Sequence, residues 1–345
     1  MSKVVYLLGA GASYGKRKQI IHRTMERTIS SGKYSIVEGI PVVNEINQEI
    51  DRLISSLKEI EPDYKVEGNF VGEFVKDLAW VKREAERHMT IDTLAKQLFL
   101  QENHTEFDRL KRILSAFFIM MQVIYPADKR YDAFLANVLT YPGKRIPDDI
   151  TILTWNYDSQ IEIAYREYNP TANPSEDFWR NVRKQLGITE SHDFETANGK
   201  IYKLNGSAML EYYGSFTHIG NPYVSDKKEF VSKLSGIYHM SSTECYLRFA
   251  WETDDDCRYL KDVFAQIQDA QVLVIIGYTF PYFNRRIDRA LFNNMPNLRK
   301  IYIQDPMAER VSQNMNPVLS VYQADGNIPV ILLKDVDQFY LPSEL

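Results

Sequence analysis

The chain has 345 residues, a formal net charge of −5 and an ordinary charged fraction of 25%. That length supports one large domain or two of ordinary size around a real apolar core, and the charge excludes a broadly basic nucleic-acid binder or membrane-surface protein. Two cysteines, Cys245 and Cys257, are too few and too far apart for a zinc module or a disulfide framework.

In chain order, Val4-Val5-Tyr6-Leu7-Leu8 is a short run rich in β-formers. It reads as a buried parallel strand that stops at Gly9-Ala10-Gly11-Ala12-Ser13-Tyr14-Gly15, a tight turn whose backbone can approach a ligand. A helix following that turn would point its free N–H groups and dipole at a pyrophosphate. Gly15 falls one place later than G-x-G-x-x-G requires, and residues 16–33 hold no second strand ending in an acid. An ordinary dehydrogenase half-domain therefore fits poorly; taken alone, the stretch is equally a glycine-rich turn of any α/β protein. Gly39-Ile40-Pro41 breaks the chain. Residues 42–57 resume a helical period, with Val43, Ile46, Ile50 and Leu53 on one face, and 58–68 form a loop. Phe70, Phe74 and Leu78 share a helix face, as do Leu94 and Leu98, with Thr90 or Asp92 as the N-cap. Residues 113–124 are apolar nearly all round and predict a buried helix. Residues 30–148 read as a mainly helical insertion within a single domain spanning 1–345.

The sheet resumes at Ile150-Thr151-Ile152-Leu153-Thr154, followed by Trp155-Asn156-Tyr157-Asp158 and a helix that packs Ile161, Ala164 and Tyr165 inward. Residues 169–200 read as a loop with one short helix. Ile201-Tyr202-Lys203-Leu204 predicts a third strand ending in Asn205-Gly206-Ser207, and 208–256 are aromatic and irregular. Thr253-Asp254-Asp255-Asp256 is better placed as the charged start of a helix over 257–269 than as a metal site. Val272-Leu273-Val274-Ile275-Ile276 is the strongest strand, ending in Gly277-Tyr278-Thr279-Phe280-Pro281. A helix over 284–294 follows, then Ile301-Tyr302-Ile303 with Gln304-Asp305-Pro306, and a last strand at Val330-Ile331-Leu332-Leu333. Apolar strands alternating with helices, each ending in polar or glycine residues, predict a doubly wound, Rossmann-like parallel α/β sheet of about six strands with its ligand at the carboxyl ends. No apolar run reaches membrane-span length and no signal-peptide pattern precedes the first strand, so a cytoplasmic protein is expected. The basic clusters Lys16-Arg17-Lys18 and Arg285-Arg286 are solvated faces or ligand clamps.

Each strand-end residue has a bland role available. Asn156 suits an Asx-turn and Asp158 a helix cap, and Ser207 and Thr279 are equally ordinary alone. Their order is what carries information. Gly9-Ala10-Gly11-Ala12-Ser13, Gly39-Ile40-Pro41, Thr154-Trp155-Asn156-Tyr157-Asp158, Lys203-Leu204-Asn205-Gly206-Ser207 and Ile276-Gly277-Tyr278-Thr279-Phe280 together resemble the sirtuin-like NAD-cleaving family. The likeness is to its bacterial branch without deacetylase zinc fingers. The resemblance implies NAD+ as substrate or ligand, no zinc, and a pyrophosphate held by Gly9, Ala10, Gly11 and Ser13. It places Asn156 and Asp158 at the nicotinamide–ribose pocket, counts Ser207 among the NAD-binding residues, and puts Gly277, Tyr278 and Thr279 at the phosphate and adenosine ribose and Gln304 or Asp305 at the adenosine end. It further implies a triggered NAD hydrolase in anti-phage defence, as a homo-oligomer with a partner defence protein and without direct nucleic-acid binding.

One departure stands out. Where that family has histidine in Lys-Leu-His-Gly-Ser, this chain has Asn205, and an amide cannot accept a proton as imidazole does. Asn205 can still orient a ribose or a water, and His218 or His239 are the nearby substitutes. The aromatic residues Tyr212, Tyr213, Phe216, Tyr238, Tyr246, Phe249 and Trp251 suggest a lid over the nicotinamide side, core packing or a subunit contact. Two further readings follow from Asn205: an NAD or ADP-ribose sensor that has lost catalysis, and a structural subunit with a vestigial pocket.

Overall fold

A strand buried on both faces must be covered by helices on both sides, and β1 (Val4–Leu8) is such a strand: all five residues are buried. The computed structural model describes residues 3–15, 18–19, 35–36, 40–41, 45–88, 90–125, 127–169, 176–190, 199–212, 215–217, 227–240, 242–254, 257–319 and 328–345. After β1 come a single 3-10 turn at Ala10–Ala12 and the antiparallel pair β2 (Lys18–Gln19) and β3 (Ser35–Ile36). Five helices follow: α1 (Ile46–Ile60), α2 (Phe70–His88), α3 (Ile91–Leu100), α4 (His104–Ile124) and α5 (Lys129–Val138). Then come β4 (Ile150–Thr154), α6 (Gln160–Arg166), α7 (Glu176–Leu186), β5 (Ile188–Thr189), β6 (Ile201–Lys203), β7 (Gly206–Tyr212) and β8 (Ser215–Thr217). The chain continues through α8 (Lys227–His239), β9 (Glu244–Leu247), α9 (Arg258–Ile267) and β10 (Val272–Ile276). It closes with α10 (Arg285–Asn293), β11 (Lys300–Gln304), α11 (Ala308–Met315) and β12 (Val330–Leu333).

Among the described residues, seven strands form one sheet in the order β12-β11-β10-β1-β4-β6-β5, every pair parallel. From β1 the chain adds β4, then the edge strand β5, then β6 between those two, and finally crosses back to β10, β11 and β12 on the other side. The order thus reverses between β1 and β10, and in open α/β sheets that reversal opens a crevice at the carboxyl ends. Alternation along the strands feeds two cores. Val5, Leu7, Leu273 and Ile275 meet Val263 and Ile267 of α9 and Leu291 of α10. Val4, Tyr6, Ile152 and Val274 meet Phe134 of α5, Tyr165 of α6 and Val182 of α7.

A third core lies away from the sheet. It joins Leu53 of α1, Phe74 and Leu78 of α2, Leu94 of α3 and Ile113 and Phe117 of α4 to Leu210 of β7, Leu234 of α8 and Leu247 of β9. Each such side chain, fully buried, contributes about 1.5–3 kcal/mol against exposure. The helical insertion thus extends beyond its first stretch: it recruits the antiparallel sheet β8-β7-β9 and α8. Conversely α5, within residues 30–148, packs against α6 and the main sheet.

Three local expectations are corrected. The region 169–200 contains the expected helix, α7, but also β5, a two-residue seventh strand; so short a segment has no readable period. The described residues within 208–256 form most of a small antiparallel sheet and a helix where irregular chain was expected. The turn after β1 is a single 3-10 turn, not a helix. One expected cap matches: Thr90 accepts from the Thr93 N–H at 3.1 Å; α9 falls within the expected 257–269, and Cys257 is its N-cap, with Sγ accepting from the Leu260 N–H. No helix among the described residues is long and apolar enough to cross a membrane.

Candidate functional site

Strand register brings the motifs together. Leu8 pairs with Thr154 and with Ile276, Ile276 with Gln304, and Thr154 with Lys203. Five neighbouring strands therefore end level, and the residues after them share one edge about 19 Å long at roughly 4.8 Å per strand gap. A cleft of about 760 Å³ opens over that edge, within the range of small-molecule sites. One wall is the sheet edge. The facing wall is the third core, through Ile46 of α1, Ile91 and Asp92 of α3, and Leu114 and Phe118 of α4.

The glycines serve a different purpose from the one their pattern suggested. A Cβ on Gly9 would stand 2.6 Å from the Gly277 carbonyl oxygen, one on Gly11 2.7 Å from the Gly277 Cα, and one on Gly277 2.4 Å from the Gly11 Cα. These residues let two loops touch each other, not only a ligand. The Gly11 N–H donates to the Gly277 carbonyl at 2.9 Å, and Gly277 sits at φ +60°, the left-handed region open to glycine. Phe280 also lies there at φ 55°, a strained position for a bulky residue of the kind that clusters at ligand sites. Gly9, Gly11, Ala12, Ser13 and Gly15 all spend their N–H groups within the protein. Ala10, at the exposed crest of the turn, keeps its N–H without a partner among the described residues. An anion seated here would meet that amide and the Ser13 side chain, not a helix N-terminus.

Arg130, at the start of α5, holds the loop from beneath. Its Nη2 donates to the Gly11 and Ala12 carbonyls at 3.0 and 3.2 Å, and its Nε to Asp128 at 2.9 Å. Asp128 in turn accepts from the Gly15 N–H at 3.0 Å. Both ionic side chains are buried and satisfied on several sides, which a desolvated pair requires.

Asn156 is fastened to that loop. Its Nδ2 donates to Ser13 Oγ at 3.0 Å, and Ser13 Oγ is 2.9 Å from the Tyr131 hydroxyl. Asp158, also at the cleft, accepts from the Gln160 N–H at 3.1 Å as α6 begins. Burial pushes its carboxyl above the usual range, with nearby Lys203 acting against that. Lys203 is buried at the end of β6, donating to the Asp158 carbonyl at 2.5 Å and pairing with Glu162 at 3.3 Å. Glu162 also pairs with Arg183 at 3.2 Å. The ion network keeps β4, β6 and α6 in step under the pocket.

Asn205 lines the cleft beside Tyr157, its Nδ2 donating to the Trp155 carbonyl at 3.2 Å and lying 3.5 Å from the Tyr157 hydroxyl. Its Oδ1 is buried and has no hydrogen-bond partner. Phe249 and Trp251, stacked with centroids 4.7 Å apart, form an aromatic side of the cleft. Lys96 lies 5.0 Å over the Trp251 ring.

Other expected residues fall elsewhere. Ser207 is buried at the start of β7 and does not line the cleft, its Oγ unpartnered. Gly9 lies below the loop surface against Tyr278. His239 stacks on Phe70 in the helical part and does not line the cleft. Tyr238 and Tyr246 also stand outside the cleft wall. His218, Gly39, Tyr213, Asp255 and Asp256, and the side chains of Tyr212 and Phe216, lie outside the described residues, as do Lys16 and Arg17.

At the far end, Thr279 is exposed and Asp305 half-buried on the lip. Gln304 also borders the cleft, but its amide is occupied: Nε2 donates to the Asp335 and Gln338 carbonyls and Oε1 accepts from the Tyr340 N–H. Asp305 has one oxygen on the Met307 N–H at 2.7 Å, and burial raises its pKa. Tyr278 contributes from below. Its ring stacks on Trp155 with centroids 5.9 Å apart, and its hydroxyl donates to Asp288 at 2.8 Å. Burial holds the Asp288 carboxyl at about 8. Arg286 ties the turn carrying Ala250 to α10, donating to the Ala250 carbonyl at 3.3 Å, while Arg285 stacks on Tyr282.

Arg130, Tyr131, Asp92 and Asp288 were not picked out as site residues by sequence reasoning. All four sit within helices or their first turns, where the visible signals were amphipathic packing and, for Asp92, a candidate N-cap. Searches of protein-family models, curated proteins and solved structures found no match to this chain.

Proposed function

We propose that the chain is a sirtuin-like NAD hydrolase that cleaves the nicotinamide–ribose bond of NAD+. The observation that supports this most is the 3.0 Å hydrogen bond from Asn156 to Ser13, which joins the second strand-end motif to the glycine loop on the rim of one long cleft. In this reading the pyrophosphate meets Ala10 and Ser13, the adenosine end reaches Thr279 and Asp305, and the nicotinamide ribose lies between Asn156 and Asn205. Expelling nicotinamide needs no general acid, because the ring is cationic in NAD+ and leaves neutral. The protein's work is to exclude bulk water, to orient the ribose, and to stabilise an oxocarbenium-like centre while one water is placed. Stacked Phe249 and Trp251 close off the apolar side. The setting that fits is a triggered effector of anti-phage defence in the cytoplasm, acting as a homo-oligomer with a partner protein.

The test is nicotinamide release from NAD+ by the full-length protein. Asn156→Ala removes an amide that orients the reacting ribose, with an expected loss of about 10²–10³ in kcat. Full activity in that variant refutes the assignment. A second reading, a sensor that binds NAD+ or ADP-ribose without turnover, is favoured by Asn205, whose amide cannot take a proton. Tight ADP-ribose binding with no nicotinamide release supports the sensor.

A further inference from the structure

We propose that Asp92, carried into the cleft by the helical insertion, is the proton acceptor for the water that attacks the ribose. This rests on the NAD-hydrolase reading above. The first support is that Asp92 has nothing else to do. Thr90 already caps α3, and the Asp92 carboxyl lines the cleft with no hydrogen bond or ion pair among the described residues. An acidic group kept half-buried without a partner is costly. The second support is the other side of the same space. Asn205 presents a buried, unpartnered Oδ1, and the Tyr157 hydroxyl lies 3.5 Å from Asn205 Nδ2 and close enough to Asp92 to feel its charge. A water donating to Asn205 Oδ1 would share the cleft with the Asp92 carboxylate. Asn205, just after β6, and Asp92, from a helix packed on a different core, thus line one cleft.

The charge environment suits the role. The other ionisable groups around this corner are Tyr157, Glu252 paired with Lys111 at 2.8 Å, and Lys96, which lies over Trp251 and near Arg286. Burial lifts Asp92 from 3.8 to about 6, near the working pH at which a base is most effective. The chemistry balances without a co-reactant. The C1′–N bond breaks with its electron pair going to the ring nitrogen, releasing neutral nicotinamide. The water oxygen bonds C1′, and its proton passes to Asp92 and on to solvent.

Asp92→Asn keeps the shape and removes the base. The measured quantities are kcat/KM for nicotinamide release across pH 5–8, and the ratio of NAD+ to NADH affinity over the same range. In the wild type, turnover rises through about pH 6, and NAD+, with its cationic ring, is preferred over NADH above that pH only. In Asp92→Asn, turnover falls by about 10²–10⁴, the pH dependence disappears, and the preference is lost. A variant with wild-type turnover and pH profile overturns the role of Asp92 and leaves the hydrolase reading standing. A wild type that binds NAD+ without releasing nicotinamide overturns the hydrolase reading and the base together. An affinity ratio unchanged by the substitution overturns the placement of Asp92 near the cationic nicotinamide ribose, whether or not turnover occurs.

Discussion

Gly277→Ala probes the contact between the two glycine loops. A Cβ at position 277 would lie 2.4 Å from the Gly11 Cα and 2.5 Å from the Ala12 nitrogen, where ordinary contact begins at 3.4 Å. The loops would have to part by about 1 Å, stretching the 2.9 Å Gly11-to-Gly277 hydrogen bond to about 3.9 Å, beyond bonding range. Left-handed backbone strain adds about 1–2 kcal/mol, and a buried amide left unsatisfied about 1–3 kcal/mol, for a total of about 2–5 kcal/mol. Gly68 supplies the control. It too has a positive φ, +80°, but a Cβ there meets nothing within 4 Å, so Gly68→Ala should cost the strain alone. Denaturant midpoints of both variants, with nucleotide affinity measured alongside, separate strain from contact. If Gly277→Ala is no more destabilising than Gly68→Ala, loop-on-loop packing is not what these glycines secure.

Arg130→Met leaves Asp128 buried without its partner and should destabilise by about 3–5 kcal/mol, read by chemical denaturation; adding Asp128→Asn should recover much of that loss, and no recovery would refute the pairing. Asp288 gives a pH signature. Its carboxyl rises from 3.8 to about 8 on folding, so below about pH 4 it is protonated in both states. Between about pH 4 and 8 only the unfolded chain ionises, and stability falls as pH rises. Asp288→Asn should therefore unfold at a midpoint that depends less on pH across that window, and parallel curves for the two proteins would contradict the assignment.

Much of the sheet was legible because its central strands are apolar on both faces. β1, β4 and β10 read as unbroken runs, and the polar residues after them declared which edge a ligand would use. Asn156 was found that way, as a polar side chain directly after a buried strand. What could not be read was whatever depends on the opposite surface. Gly9 and Gly11 look the same in sequence whether they face a phosphate or another loop, and here Gly277 is the neighbour. Gln304 looked free at a strand end, yet the returning segment 335–340 takes all its polar atoms. Arg130 and Asp92 reach the cleft only because α5 packs on the sheet and α3 packs on a separate core, so their helical spacing gave no hint. β5 is two residues long, below any period.

The third core is assembled from two stretches of chain, 45–125 and 206–249, which leave and rejoin the sheet separately. Its parts are therefore interdependent in a way that bears on truncation. Excising the first stretch to obtain a minimal nucleotide-binding fragment would strip the cover from Ala208, Leu210, Leu234 and Leu247 and expose them to water. Removing the second would orphan the apolar sides of α2 and α4 instead. Neither piece is a cassette that a single cut can release, so domain mapping of this protein by deletion should yield insoluble products at either boundary.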